Sequence, residues 1–149
     1  MNLLLAAAQA VMSVPATPAP ALPPVTTGYS IVVARAVTQA NPIPIQCGAA
    51  NCTSWFLGKF DQAHTLAGQP LPREFDARLE MGSPYDQHYR LLLLVAREAD
   101  GTLRVRSTGG FNTRTKEACL DALDTDALTP PPAGAELIKR GRAICTLDR

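Results

Sequence analysis

The chain has 149 residues, a net charge of +1 at pH 7 and only 5% aromatic residues. That length suggests one domain. The charge gives no global field to draw nucleic acid or an anionic membrane, and the scarcity of rings speaks against a carbohydrate-stacking or single-stranded nucleic-acid platform.

The N-terminus reads as an export signal. No Asp, Glu, Lys or Arg precedes Arg35, and residues 3–14 form an apolar run broken only by Gln9 and Ser13. Small-x-small sites follow at Ala8-Gln9-Ala10 and Ala19-Pro20-Ala21, the kind that signal peptidase cleaves. The run falls short of the roughly 20 apolar residues needed to cross a bilayer, so no transmembrane segment is expected in the mature form. No basic residue stands before it, so either the signal is atypical or the true start lies upstream. The alternative is a disordered Ala/Pro leader on a cytosolic protein. The preferred division is a signal peptide at 1–21, a Pro-rich leader at 22–28 and one domain at 29–149, in the periplasm or secreted. Residues 15–24 hold five prolines, Pro15, Pro18, Pro20, Pro23 and Pro24, which favour an extended stretch with little structure of its own.

Four cysteines, Cys47, Cys52, Cys119 and Cys145, suit an oxidising compartment. They allow three pairings; the preferred one joins Cys47 to Cys52 and Cys119 to Cys145. The second bridge would pin the C-terminal tail. A zinc site is the rival, but Cys119 and Cys145 stand too far apart in sequence for a second knuckle.

In chain order, the β-branched stretch YSIVVARAV predicts a first strand at 29–37. A second follows at 54–61, SWFLGKFD, with Phe56 and Phe60 on one face and Gly58 as a possible bend. Gly68-Gln69-Pro70-Leu71-Pro72 makes a turn. At 74–81, Phe75, Ala77, Leu79 and Met81 alternate with Glu74, Asp76, Arg78 and Glu80, which is a strand with one buried and one wet face. The run Leu91-Leu92-Leu93-Leu94-Val95 predicts a strand at 89–97 covered on two sides. Asp100-Gly101 turns it into a fifth strand, where Leu103 and Val105 alternate with Arg104 and Arg106. Residues 112–126 read as a helix capped by Thr115, with Glu117 in its first turn and Cys119, Leu120 and Leu123 toward the core. In the tail, Leu137 and Ile138 suit a short helix and residues 143–147 an edge strand.

The expected fold is therefore mainly β with one or two short helices: a five-stranded, partly open OB-like barrel with disulfides. The stretch FLGKFDQAHTLAGQPLPREFDARLE, followed by the leucine-rich strand and the Asp100-Gly101 hairpin, resembles small exported bacterial proteins of OB-like build. In strand order and cysteines over about residues 29–123, the chain is distantly similar to the TIMP/netrin-type module. The inhibitory mechanism that this resemblance implies needs a cysteine at the mature N-terminus. The first cysteine here, Cys47, lies well inside the domain, so that mechanism does not carry over.

No motif supplies a catalytic or cofactor set. His64 follows Asp61 by three positions and His88 follows Asp86 by two; together they would suit a metal-dependent hydrolase, but both lie in polar, loop-like stretches. Gly109-Gly110 only echoes a phosphate loop, and Asn51-Cys52-Thr53 fits a glycosylation site that matters only in a eukaryotic route. Arg104, Arg106, Arg114 and Lys116 form one basic group and Lys139, Arg140 and Arg142 a second. The plainer reading is a solvated strand face balanced by Glu74, Asp76 and Glu80. A binding or interaction module is expected rather than an enzyme. Its surface would include Trp55, Arg104 and Arg106 with the loops at 47–52 and 68–72, its partner would be another envelope or secreted protein, and neither a cofactor nor nucleic acid is implied. A structural envelope component is the remaining alternative.

Overall fold

The computed structural model describes residues 26–43, 55–80, 89–129 and 131–148. The Cys47–Cys52 pairing, His88 and the Gly82-Ser83-Pro84 break lie outside the described residues. Five strands, β1 (Thr26–Ile43), β2 (Trp55–Gly68), β3 (Phe75–Glu80), β4 (Arg90–Glu98) and β5 (Leu103–Gly110), form a closed barrel in the order β1-β2-β3-β5-β4. Four of its seams are antiparallel. The parallel seam between β3 and β5 carries two register pairs, Arg78 with Arg104 and Leu79 with Val105, and completes the OB-like barrel.

The leucine run explains how the molecule is layered. Side chains alternate across a strand, so Leu91, Leu93 and Val95 point into the barrel with Val32, Ala34, Phe60, Phe75 and Leu79. Leu92 and Leu94 point outward with Ile31 and Val33 of β1. That outer face would be a bare apolar patch without a cover. The C-terminal segment supplies one: β6 (Glu117–Leu120), β7 (Ile138–Arg140) and β8 (Ala143–Leu147) form a second sheet in the order β6-β8-β7. Ala118, Leu120 and Ile144 from this sheet close over Leu92 and Leu94. Ile31, Leu92, Leu93 and Leu120 are all at most 1% exposed, and burial of each stabilises by about 2 kcal/mol. The sheets approach closely at Gly109, where an added Cβ would collide with the Cys119 carbonyl oxygen.

The helix expected over 112–126 is not formed. Asn112 instead accepts hydrogen bonds from the backbone of Arg114 and Thr115 in a tight turn, and Lys116 takes a left-handed φ of 56°. The left-handed φ at Lys116 ends any helical winding there. Cys119 then lies in β6, directly opposite Cys145 of β8, and the two form a disulfide. Within 112–126 the helical part is α1 (Ala122–Asp126), capped by Asp121, whose side chain accepts from the Leu123 N–H. Thr115 is not the cap, and Leu123 is exposed rather than in the core. The tail is likewise extended: Ile138 opens β7, not a short helix, and the expected edge strand is β8. Strand β2 also runs beyond the expected end at Asp61, because its second half pairs with β1 from Ser30 to Val33.

The Asp100-Gly101 turn follows the sequence signal. Gly101 has a φ of 83°, and its N–H donates to the Glu98 carbonyl. Asp100 accepts from the Thr102 N–H, and this bond holds its carboxyl below the ordinary value.

Candidate binding site on the barrel

A cleft lies where β1, β2 and the start of β3 meet. Val37, Lys59, Phe60, Asp61, Glu74, Phe75 and Asp76 line a cleft of about 570 Å³. Its floor follows from alternation in two short stretches, Lys59-Phe60-Asp61 and Glu74-Phe75-Asp76. In each, the phenylalanine turns inward and leaves its charged neighbours toward solvent. Phe60 and Phe75 face one another in register and stack with ring centroids 5.1 Å apart. Such a pair adds about 1 kcal/mol beyond its burial and makes the floor rigid.

A bulge positions the rim. Gln62 has a φ of 51°, and the β1–β2 register shifts between Val33 and Arg35. Bulges bend the strand and re-aim neighbouring side chains. Here the Ala63 N–H donates to the Arg73 carbonyl at 3.0 Å, which draws the β2–β3 connection onto β2 and fixes Glu74 beside the cleft. Asp61 is clamped by Arg35, with Nε donating to Oδ1 at 2.8 Å and Nη2 to Oδ2 at 2.5 Å. The hydrogen bond to Asp61 outweighs the opposing effect of burial and raises the Arg35 pKa further above its ordinary value. Lys59 lies opposite Asp76 across the β2–β3 register. The lining thus carries three carboxylates and one lysine, and Asp61 is already engaged by Arg35.

The structure places the sequence-predicted residues as follows. His64 does not meet Asp61; its Nε2 lies 2.7 Å from Glu136 Oε2, tying β2 to the segment before β7. That pair is largely solvent-exposed and acts as a strap between barrel and tail. Glu117, Cys119 and Cys145 converge closely enough to suggest a metal site, but the two sulfurs are joined in the disulfide and have no thiolate to offer. Trp55 opens β2 at the end opposite the cleft, where it pairs with Glu80. Arg104 is next to Arg78 across the parallel seam and 4.0 Å from Glu98. Arg106 lies apart from both, on the outer face toward α1. In the second basic group, Arg140 pairs with Glu117 and Arg142 with Asp126.

Glu98 is 5% exposed, and among the described residues neither of its carboxylate oxygens accepts a hydrogen bond. The cleft itself was missed by sequence reasoning. Its signal was present in the wet face of β3, but nothing in the residue types marks Gln62 as the left-handed position that brings Asp61 and Glu74 to one rim. No protein-family model, curated protein or solved structure matches this chain.

Proposed function

We propose that this chain is an exported binding module whose β2–β3 face takes a basic segment of another envelope or secreted protein. The observation that carries the reading is the cleft: a rigid aromatic floor of Phe60 and Phe75 under a rim of Asp61, Glu74, Asp76 and Lys59. The face formed by strands 2 and 3 is where OB-type barrels bind their ligands. An acidic rim attracts lysine or arginine side chains and repels phosphate chains, which favours a protein partner over nucleic acid. The apolar leader and the Cys119–Cys145 disulfide support the export part of the reading.

The test is a chemical cross-linking capture of the processed protein from native envelope extract, read by mass spectrometry. It is run beside the charge-reversed variant Glu74→Lys/Asp76→Lys. The expected result is one stoichiometric partner, cross-linked through Lys59 and lost from the variant. Equal capture by both proteins, or no partner above background, overturns the proposal.

A further inference from the structure

A second opening lies in the seam between the barrel and the C-terminal cover. Tyr29 of β1, Leu94 and Ala96 of β4, Arg106 of β5, and Asp124 and Leu128 of the helical segment line a groove of about 330 Å³. Leu94 and Ala96 are 2% and 4% exposed and form an apolar floor. Leu128 packs against the outer core.

Two charges stand over this floor with no ion pair or hydrogen bond among the described residues. Arg106 occupies the irregularity where the β4–β5 register jumps between Leu94 and Val95, opposite Ser107 and Val105. It is the extra residue of a bulge, and its exposed side chain turns to the groove. Five other arginines, Arg35, Arg90, Arg104, Arg140 and Arg142, stand in ion pairs. Arg106, like Arg73, Arg78 and Arg114, stands in none among the described residues. The same contrast holds along the helix. Asp121 caps it and Asp126 holds Arg142, while the half-buried Asp124 has no ion pair or hydrogen bond among the described residues.

We infer that the groove is a binding site for a short apolar peptide with both termini free. Arg106 takes the carboxylate, since a guanidinium presents a fork of donors that matches a carboxylate's two oxygens. Asp124 takes the ammonium, and the apolar side chains lie on Leu94 and Ala96. The volume is at the lower end for small-molecule pockets, which admits a ligand of roughly dipeptide size. This site is separate from the β2–β3 cleft and does not depend on a protein partner there.

The probe is leucyl-leucine, titrated into the full chain and followed by amide NMR shifts, beside its C-terminal amide and its N-acetyl form. Shifts are expected at Leu94, Ala96, Arg106 and Leu128. Arg106→Gln and Asp124→Asn should each weaken binding about tenfold, as loss of a charge-assisted pair does. The amide should be indifferent to Arg106→Gln, and the N-acetyl form to Asp124→Asn. Both substitutions are on the surface, and unchanged dispersion elsewhere in the spectrum confirms folding. Glu74→Lys should leave the titration unaltered, which separates this site from the cleft. The proposal is overturned by an absence of shifts up to about 10 mM, weaker than any specific site. It is equally overturned by shifts centred on Phe60 and Phe75, or by binding that neither substitution changes.

Discussion

Removing the Cys119–Cys145 disulfide tests whether the C-terminal sheet is part of the fold or an appendage to it. The perturbation is Cys119→Ala/Cys145→Ala, which leaves the other two cysteines in place. The bridge spans 26 residues of sequence, and the chain-entropy relation for a loop of that length gives about 3.5 kcal/mol. For a domain of this size that corresponds to a drop in Tm of about 12 °C. Whether the loss is local or global depends on β4. If the cover detached alone, Ile31, Val33, Leu92 and Leu94 would be exposed. At about 2 kcal/mol each, that costs about 8 kcal/mol, comparable to the whole stability of an ordinary domain. The barrel therefore does not outlast its cover, and urea unfolding followed by circular dichroism and amide exchange should show one transition shifted to lower urea. Amides of Leu93 inside the barrel and Leu120 in the cover should lose protection together. Two separated transitions, or a loss below about 1 kcal/mol, would refute this reasoning.

Glu98 gives a prediction of opposite sign. Its carboxylate is buried with no hydrogen bond among the described residues, and an unsatisfied buried polar group costs about 1–3 kcal/mol. Glu98→Leu should therefore raise stability at neutral pH by an amount in the region of 1 kcal/mol, the Arg104 attraction at 4.0 Å being lost as well. A clear destabilisation in urea titrations would show that Glu98 has a partner that this account lacks. Asp100 predicts a pH dependence. Its folded pKa is depressed below 3.8, so its contribution is fully present above the unfolded value and fades as pH falls through the folded one. The stability gap between the natural chain and Asp100→Ala should hold above about pH 4 and narrow below it; a gap that stays constant with pH rules the hydrogen bond out as its cause.

The barrel was legible where residues carried an unambiguous period. In β3, Phe75, Ala77 and Leu79 are buried and Asp76 and Arg78 exposed, as strict alternation requires. In β4, an unbroken apolar run meant two covered faces, and the second cover proved to be the C-terminal sheet. Residues 112–126 misled because Glu117, Leu120 and Leu123 have helical spacing and good helix chemistry. What decided the segment was distant in sequence: Cys119 must lie opposite Cys145, and a disulfide between directly opposed residues of β6 and β8 holds both in strands. The second half of β2 has weak strand propensity of its own at Gln62, Ala63 and His64; pairing with Ser30–Val33 makes it extended. The cleft was half legible for the same reason. Its charged residues lie on strand faces that the period predicts, whereas their convergence depends on the bulge at Gln62, a residue type with no special claim to a left-handed φ.

The barrel order by itself would invite a nucleic-acid reading, since OB-type barrels bind oligonucleotides on the face of strands 2 and 3. Charge argues against it here. Affinity for a phosphate chain depends on cations free to release counterions, and five arginines are already committed to carboxylates of this same chain. On the face in question, Lys59 is outnumbered by Asp61, Glu74 and Asp76. Fold alone does not imply function; the side chains set on the fold select the ligand. The cover over Leu92 and Leu94 closes the outer face of β1 and β4, and the charged face of β2 and β3 lies apart from it. A basic segment bound at the acidic rim should lose affinity as salt rises, through screening, and so should a peptide held in the seam by Arg106 and Asp124. Charge substitution separates the two: Glu74→Lys should act on the cleft alone, and Arg106→Gln and Asp124→Asn on the seam alone.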